Sequence, residues 1–234
     1  MEPPSGTALT VVMVGLTVAT GVLDAVSFLT LGQVFTATQT GNLLFLGFGI
    51  AGQGGLPVAA TAVSIGAFLL GAALGARLES TLAAGQRPWF PAALVAEAAL
   101  LFAAAVAAWE DGPGPVLARR HVVVGLMAVA MGMRNVTSMR AAAPDLTTTV
   151  ETRAMAALAS GSLLGHDRKL GYGSHAGARR LSSVTAMFAG GLLGAGLLGL
   201  GTRPTLVILL VAVFVAATAF LMYGFTHGPR SNEG

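Results

Sequence analysis

The 234-residue chain predicts an all-α polytopic membrane protein with about six transmembrane helices. These are expected to form two inverted three-helix repeats, each with a short broken or re-entrant helix. Three observations lead there. The composition is 54% hydrophobic and only 10% charged, six segments are long and apolar enough to span a bilayer, and a polar motif inside the first segment recurs near mid-chain.

The composition excludes most soluble classes. A soluble domain is about one-quarter charged, and a mean hydropathy of +0.76 leaves too little charge for a solvated shell. Thirty-two glycines are too many for water-exposed helix interiors but suit close helix packing in lipid. The chain has no cysteine, which removes disulfides, thiolate metal sites and cysteine nucleophiles together. A net charge of +3 comes from scattered arginines, with Lys169 as the only lysine, so no basic face suited to nucleic acid is expected. Met1 to Gly6 carries Glu2 and no basic residue, unlike a secretory leader.

A spanning helix needs about 20 mainly apolar residues. The segments that qualify are Ala8 to Leu31, Leu56 to Leu78, Trp89 to Trp109, Val116 to Arg140, Leu181 to Leu200 and Thr205 to Gly224. Thr40 to Ala51 and Thr147 to Ser162 are too short or too polar for secure spans. They stand at matching places in the two halves, as discontinuous helices of repeated transport folds do.

The motif Gly21-Val-Leu-Asp24-Ala-Val-Ser27 recurs as Gly132-Met-Arg134-Asn135-Val-Thr-Ser138, at an offset of about 111 residues. With one residue of slippage, Gln39-Thr40-Gly41-Asn42-Leu43 aligns with Glu151-Thr152-Arg153-Ala154-Met155. The ladder Ala67, Gly71, Gly75 then matches Ala186, Gly190, Gly194. Residues 1–112 and 113–234 are therefore read as the two repeats. The ladders read as packing seams, and glycine-rich faces of this kind also offer a route to homo-oligomers.

If the two short stretches dip in without crossing, three spans separate the halves and the second half is upside down. Both termini, the Arg77 to Arg87 loop and the Arg134 to Arg180 region then share one side. That side holds ten of the thirteen basic residues, leaving Arg119, Arg120 and Arg203 opposite. The positive-inside rule makes it cytoplasmic.

The candidate site residues are the polar ones in apolar surroundings. Asp24 lies inside a span and must pair or take up a proton. Arg134, beside its counterpart Asn135, is the expected partner. Thr40, Gly41 and Asn42 open a helical stretch, where Thr can cap, Gly admits another backbone, and free amide N–H groups suit an anion or dipolar solute. A helix cap buried against protein explains the same residues. Thr147 to Thr149 and Thr152 either satisfy freed backbone groups or line a polar path. Glu97, near the middle of its span, is with Asp24 a candidate titrating group. His121, His166, His175 and His227 lack metal-ligand spacing, and no metal or cofactor is expected. The segment from Asp167-Arg168-Lys169 to Arg179-Arg180 reads as a cytoplasmic loop. HExxH, GxSxG and phosphate-loop motifs are missing, so no enzyme is expected.

The run from Gly21 to Phe35, followed by Gln39-Thr40-Gly41-Asn42-Leu43, resembles the YoaK-like family of bacterial membrane proteins. The resemblance continues through Met131-Gly-Met-Arg-Asn135 and Asp145-Leu-Thr-Thr-Thr-Val150, and so covers essentially the whole chain. It implies a bacterial cytoplasmic-membrane protein whose activity is unassigned. Members of that family often carry a second Thr-Gly pair where this chain has Thr152-Arg153, which puts a symmetrical second approach site in doubt.

The functional expectation is a secondary transporter or permease for a small solute or ion, embedded in the lipid bilayer. Asp24, Arg134 and Asn135 would form its polar centre. A non-transporting scaffold or partner subunit, its polar groups merely holding helices together, is the alternative.

Overall fold

The computed structural model describes residues 6–109, 116–141, 151–160 and 176–227, and these are all-helical. The eight helices are α1 (Thr7–Thr30), α2 (Gln39–Ile50), α3 (Val58–Ala84), α4 (Trp89–Ala107), α5 (Val116–Arg140), α6 (Glu151–Ser160), α7 (Ala176–Gly199) and α8 (Pro204–His227). All but α2 and α6 are long and apolar enough to cross a membrane, the six segments expected from hydropathy. α2, at 12 residues, reaches about 18 Å and cannot cross.

Two boundaries differ from the sequence reading. α3 continues past Leu78 to Ala84 because Glu79 is buried against α5 rather than solvated. α7 begins at Ala176, so Arg179 and Arg180, expected in a loop, lie in its first turns, and Arg180 is buried. Asp145, Thr147 to Thr149, His166, Asp167 to Lys169 and His175 lie outside the described residues.

The register of the helices follows from their small residues. Along α3 and α5, Val63 faces Gly125, Gly71 faces Val129 and Gly75 faces Met133. Both numbers rise together, so α3 and α5 run parallel. α1 and α7 are parallel by the same argument, with Val18 at Gly190 and Val22 at Gly194. α4 and α8 are antiparallel: Thr205, at the start of α8, donates from its Oγ1 to the carbonyl of Ala108 at 3.0 Å, just past the end of α4. α4 also packs on α5, α1 on α8, α2 on α3 and α6 on α7, whereas α1 and α5 barely touch.

These seams need glycine. A Cβ on Gly71 would overlap the carbonyl of Val129, and one on Gly132 the carbonyl of Phe68. Gly190 stands in the same relation to Val18, and Gly21 to Met187. Backbones this close gain dispersion over a long contact in a solvent that offers no hydrophobic drive between helices.

α1 stops at Leu31, where Gln33 N–H donates to Phe28 O at 3.1 Å and Gly32 takes φ 112°, a left-handed stop that glycine adopts without a Cβ clash. The chain then folds back alongside α1. Residues 36–38 return to the level of Asp24, about 9 Å below the end of α1. α2 starts there and climbs out again, antiparallel to α3, with Asn42 at Ser64 and Gly49 near Val58. The first half therefore folds back as a loop and continues as the short helix α2.

Candidate functional site

Asp24 sits in the third quarter of α1, 4% exposed. Its Oδ1 accepts from the N–H groups of Thr36 and Ala37, both at 2.8 Å, and from Thr36 Oγ1 at 3.2 Å. Its Oδ2 accepts from Thr38 N–H at 3.1 Å and Thr38 Oγ1 at 2.7 Å. Five donors and no acceptor meet it, the complement of a carboxylate. Thr38 is the N-cap residue of α2 but makes no side-chain cap of its own. The carboxylate thus serves as a cap from another helix, placed at the positive end of the α2 dipole. Loop amides buried within the protein need acceptors there, and Asp24 supplies them.

The expected Asp24–Arg134 pair does not form. Arg134 is buried at 1% exposure and its Nη2 forms an ion pair with Glu97 Oε1. Its Nη1 donates to the carbonyl of Leu16 at 2.8 Å and to Thr20 Oγ1 at 3.0 Å, both on α1. Thr20 is one turn before Asp24 on the same helix, so the guanidinium stops a turn short. The reason is twofold. Asp24 is already saturated by the folded-back loop, and Glu97, near the middle of α4, meets the arginine where α4 packs on α5. Arg134 Nε is buried without a hydrogen-bond partner among the described residues.

The Thr40-Gly41-Asn42 triplet is split by the fold. Thr40 is exposed in the first turn of α2, and the cap position expected for it belongs to Thr38. Gly41 makes room for a ring of this chain: a Cβ there would stand 3.1 Å from Phe35. Asn42 is fully buried and pins the same loop. Its Oδ1 accepts from Phe35 N–H at 3.0 Å, while Nδ2 donates to Phe35 O at 2.7 Å and Gln39 Oε1 at 2.9 Å. Ser64 of α3 completes the node, donating to Phe35 O at 2.6 Å and accepting from Asn42 Nδ2 and Gln39 Nε2. The buried-cap explanation therefore describes Asn42. Asn135 is half-buried on α5 beside Arg134, and Thr152 is exposed on α6.

The structure adds a polar cluster at the far end of α3. Glu79, fully buried, accepts from Thr137 Oγ1 and from Arg140 Nε at 2.9 Å, and the Arg140 guanidinium lies 5.8 Å from the Trp89 ring centroid. Glu79 falls in the Arg77 to Arg87 stretch that the sequence reading takes as a loop. Ser64 could have been found, since three residues before Ala67 and Ala186 the alignment of the halves pairs Ser64 with Ser183, and both are buried.

Beside Asp24 lies an open cavity of about 300 Å³ between α1, α7 and the folded-back loop. Gly21, Ala25, Phe28, Phe35, Thr38, Met187 and Gly191 line it with Asp24. Phe28 and Phe35 are stacked with centroids 4.9 Å apart.

The comparisons with known proteins bear on this helical, glycine-seamed architecture. The family described as "Protein of unknown function (DUF1275)" matches residues 12–221, nearly every helix described above. The chain belongs to this family. It is 29% identical over 150 residues to the "UPF0700 transmembrane protein YoaK" of Bacillus subtilis (strain 168), covering 61% of this chain and 62% of that relative's length. The family resemblance read from the Asp24 motif is thereby upheld, and with it a membrane protein. No solved structure matches the chain.

Proposed function

We propose that this DUF1275 protein is a small-solute permease of the bacterial cytoplasmic membrane, built from two inverted repeats with both termini cytoplasmic. The reading is carried by one observation, the exchange symmetry of the glycine contacts. Gly21 abuts Met187 and Gly132 abuts Phe68; Gly190 abuts Val18 and Gly71 abuts Val129; Gly194 abuts Val22 and Gly75 abuts Met133. Under the alignment of the halves each contact becomes its partner, as a two-fold axis requires. Parallel α1–α7 and α3–α5 pairs, each taking one helix from either repeat, fit a fold whose halves rock about that axis.

Two units then meet along α4 and α8: α2 to α5 on one side, and α1 with α6 to α8 on the other. Arg134 bridges them by bonding α1, and Asp24 bridges them by holding the loop into α2. Solute would enter at the Asp24 cavity, between α1 and α7.

The non-transporting scaffold remains as a second reading, favoured by the complete use of Asp24 and Asn42 in bonds within the chain. Thiol access separates the two. Ala25 lines the cavity, and its repeat counterpart is Val136. In this cysteine-free chain, Ala25→Cys and Val136→Cys are treated with a membrane-impermeant thiol reagent on sealed vesicles of either orientation. The permease reading expects Ala25→Cys to react from outside and Val136→Cys from the cytoplasmic side. Protection of both from both sides would sink it, and reaction of both from one side would sink the inverted arrangement.

A further inference from the structure

Among the described residues the buried carboxylates are Asp24, Glu79 and Glu97. Glu97 is neutralised by Arg134 and Glu79 by Arg140. Asp24 has no ion-pair partner among the described residues, although five dipolar donors hold it. A charge out of water that is hydrogen-bonded but not neutralised keeps an attractive field in its surroundings, undiminished by screening ions.

That field falls on the cavity, since Asp24 forms part of its wall. At about 300 Å³ the space is at the small end of ligand pockets, which run from roughly 300 to 1,000 Å³. The remaining wall selects the kind of cation. Besides Asp24, Thr38 is its only polar side chain, so an alkali or divalent metal ion, which needs several oxygens, would be poorly coordinated. Phe28 and Phe35 instead line it with aromatic, apolar surface, which suits the alkyl groups of an alkylated ammonium and can add cation–π attraction. Gly191, beside Met187 on α7, leaves part of the facing wall without a side chain.

We propose that this cavity binds a small alkylated ammonium ion, with Asp24 as counter-charge and Phe28 and Phe35 as the apolar cradle. The proposal rests on the Asp24 cavity being the solute site of the permease, and it names the solute class.

Binding is measured by titration calorimetry on the full chain in detergent micelles, with two probes: choline and its carbon isostere 3,3-dimethylbutan-1-ol, which has carbon in place of the charged nitrogen. Choline is expected to bind at least ten-fold more tightly than the isostere. Asp24→Asn should abolish that discrimination. Because Asp24→Asn also weakens the loop and can lower the yield of folded protein, Gly191→Leu provides an independent variant. A Cβ on Gly191 meets nothing within 4 Å, so the side chain enters the cavity and leaves Asp24 and its donors in place. It should weaken choline at least ten-fold. Equal affinity for the two probes, no heat from either at millimolar concentration, or unchanged choline affinity in Gly191→Leu would overturn the proposal. The thiol-access result is independent of all three outcomes, so loss of the ammonium site leaves the permease reading to stand or fall on its own.

Discussion

Asp24 accepts a 2.8 Å hydrogen bond from the backbone N–H of Ala37, thirteen residues on, and so joins a carboxylate within α1 to the start of the short helix α2. Replacing it removes the acceptor for three loop amides at once. Each buried donor left unpaired costs about 1–3 kcal/mol. Asp24→Ala should therefore lower unfolding free energy in detergent by on the order of 3 kcal/mol or more, and Asp24→Asn, which retains one oxygen, by less. Equal losses would mean that the carboxylate is not the cap.

The glycine seams predict matched penalties. Gly190→Ala and Gly71→Ala each force a methyl into a backbone carbonyl of the neighbouring helix, and overpacking of this kind costs about 1–3 kcal/mol. The two losses should agree closely. Gly191→Ala, one residue along but facing open space, should be near neutral. Thermal unfolding of the three variants checks both points, and unequal losses at positions 71 and 190 would count against the repeat relation.

Arg134 and Glu97 are both about 1% exposed, so neither tolerates loss of its partner. Glu97→Gln keeps an acceptor oxygen but leaves the buried guanidinium without a counter-charge, and removing one charge of a buried pair costs about 3–5 kcal/mol. The double variant Glu97→Met with Arg134→Met should lose less than Glu97→Gln alone, because no unpaired charge remains. A double-variant loss equal to the sum of the singles would show that the pair is not coupled.

At the other end of α3 the partners are unequal. Arg140 is 34% exposed while Glu79 is fully buried. Arg140→Gln leaves that buried carboxylate without its counter-charge and should cost about 1–3 kcal/mol, less than the loss at Glu97 because Arg140 itself is partly solvated. Glu79→Ala, which removes Arg140's partner and opens a cavity while Thr137 keeps the Met133 carbonyl as acceptor, should cost about 2–4 kcal/mol by the same unfolding measurement.

The degree to which the sequence discloses these features follows from the range of the interactions. Span positions are local, since about 20 apolar residues in a row are enough, and all six segments proved long and apolar enough to cross. The ladder of Gly71, Gly75, Gly190 and Gly194 was legible because close helix packing leaves a four-residue rhythm. Glu79 was hidden because its charged neighbours read as loop, whereas its own side chain turns inward to Thr137. Thr38 was passed over for Thr40 because a two-residue shift in a helix start lies below what pattern reading resolves.

By itself the sequence determined a membrane protein of six apolar spans, the two short helices between them, and which small residues face other helices. It also marked Asp24, Glu97 and Arg134 as the costly polar groups. Which carboxylate meets the arginine was decided only by the tertiary structure. Pairing depends on how far the chain folds back after α1 and where α4 lies against α5, contacts that no local pattern encodes. Asp24 went to the loop amides that water could not reach, and Glu97 to the guanidinium that nothing else could neutralise.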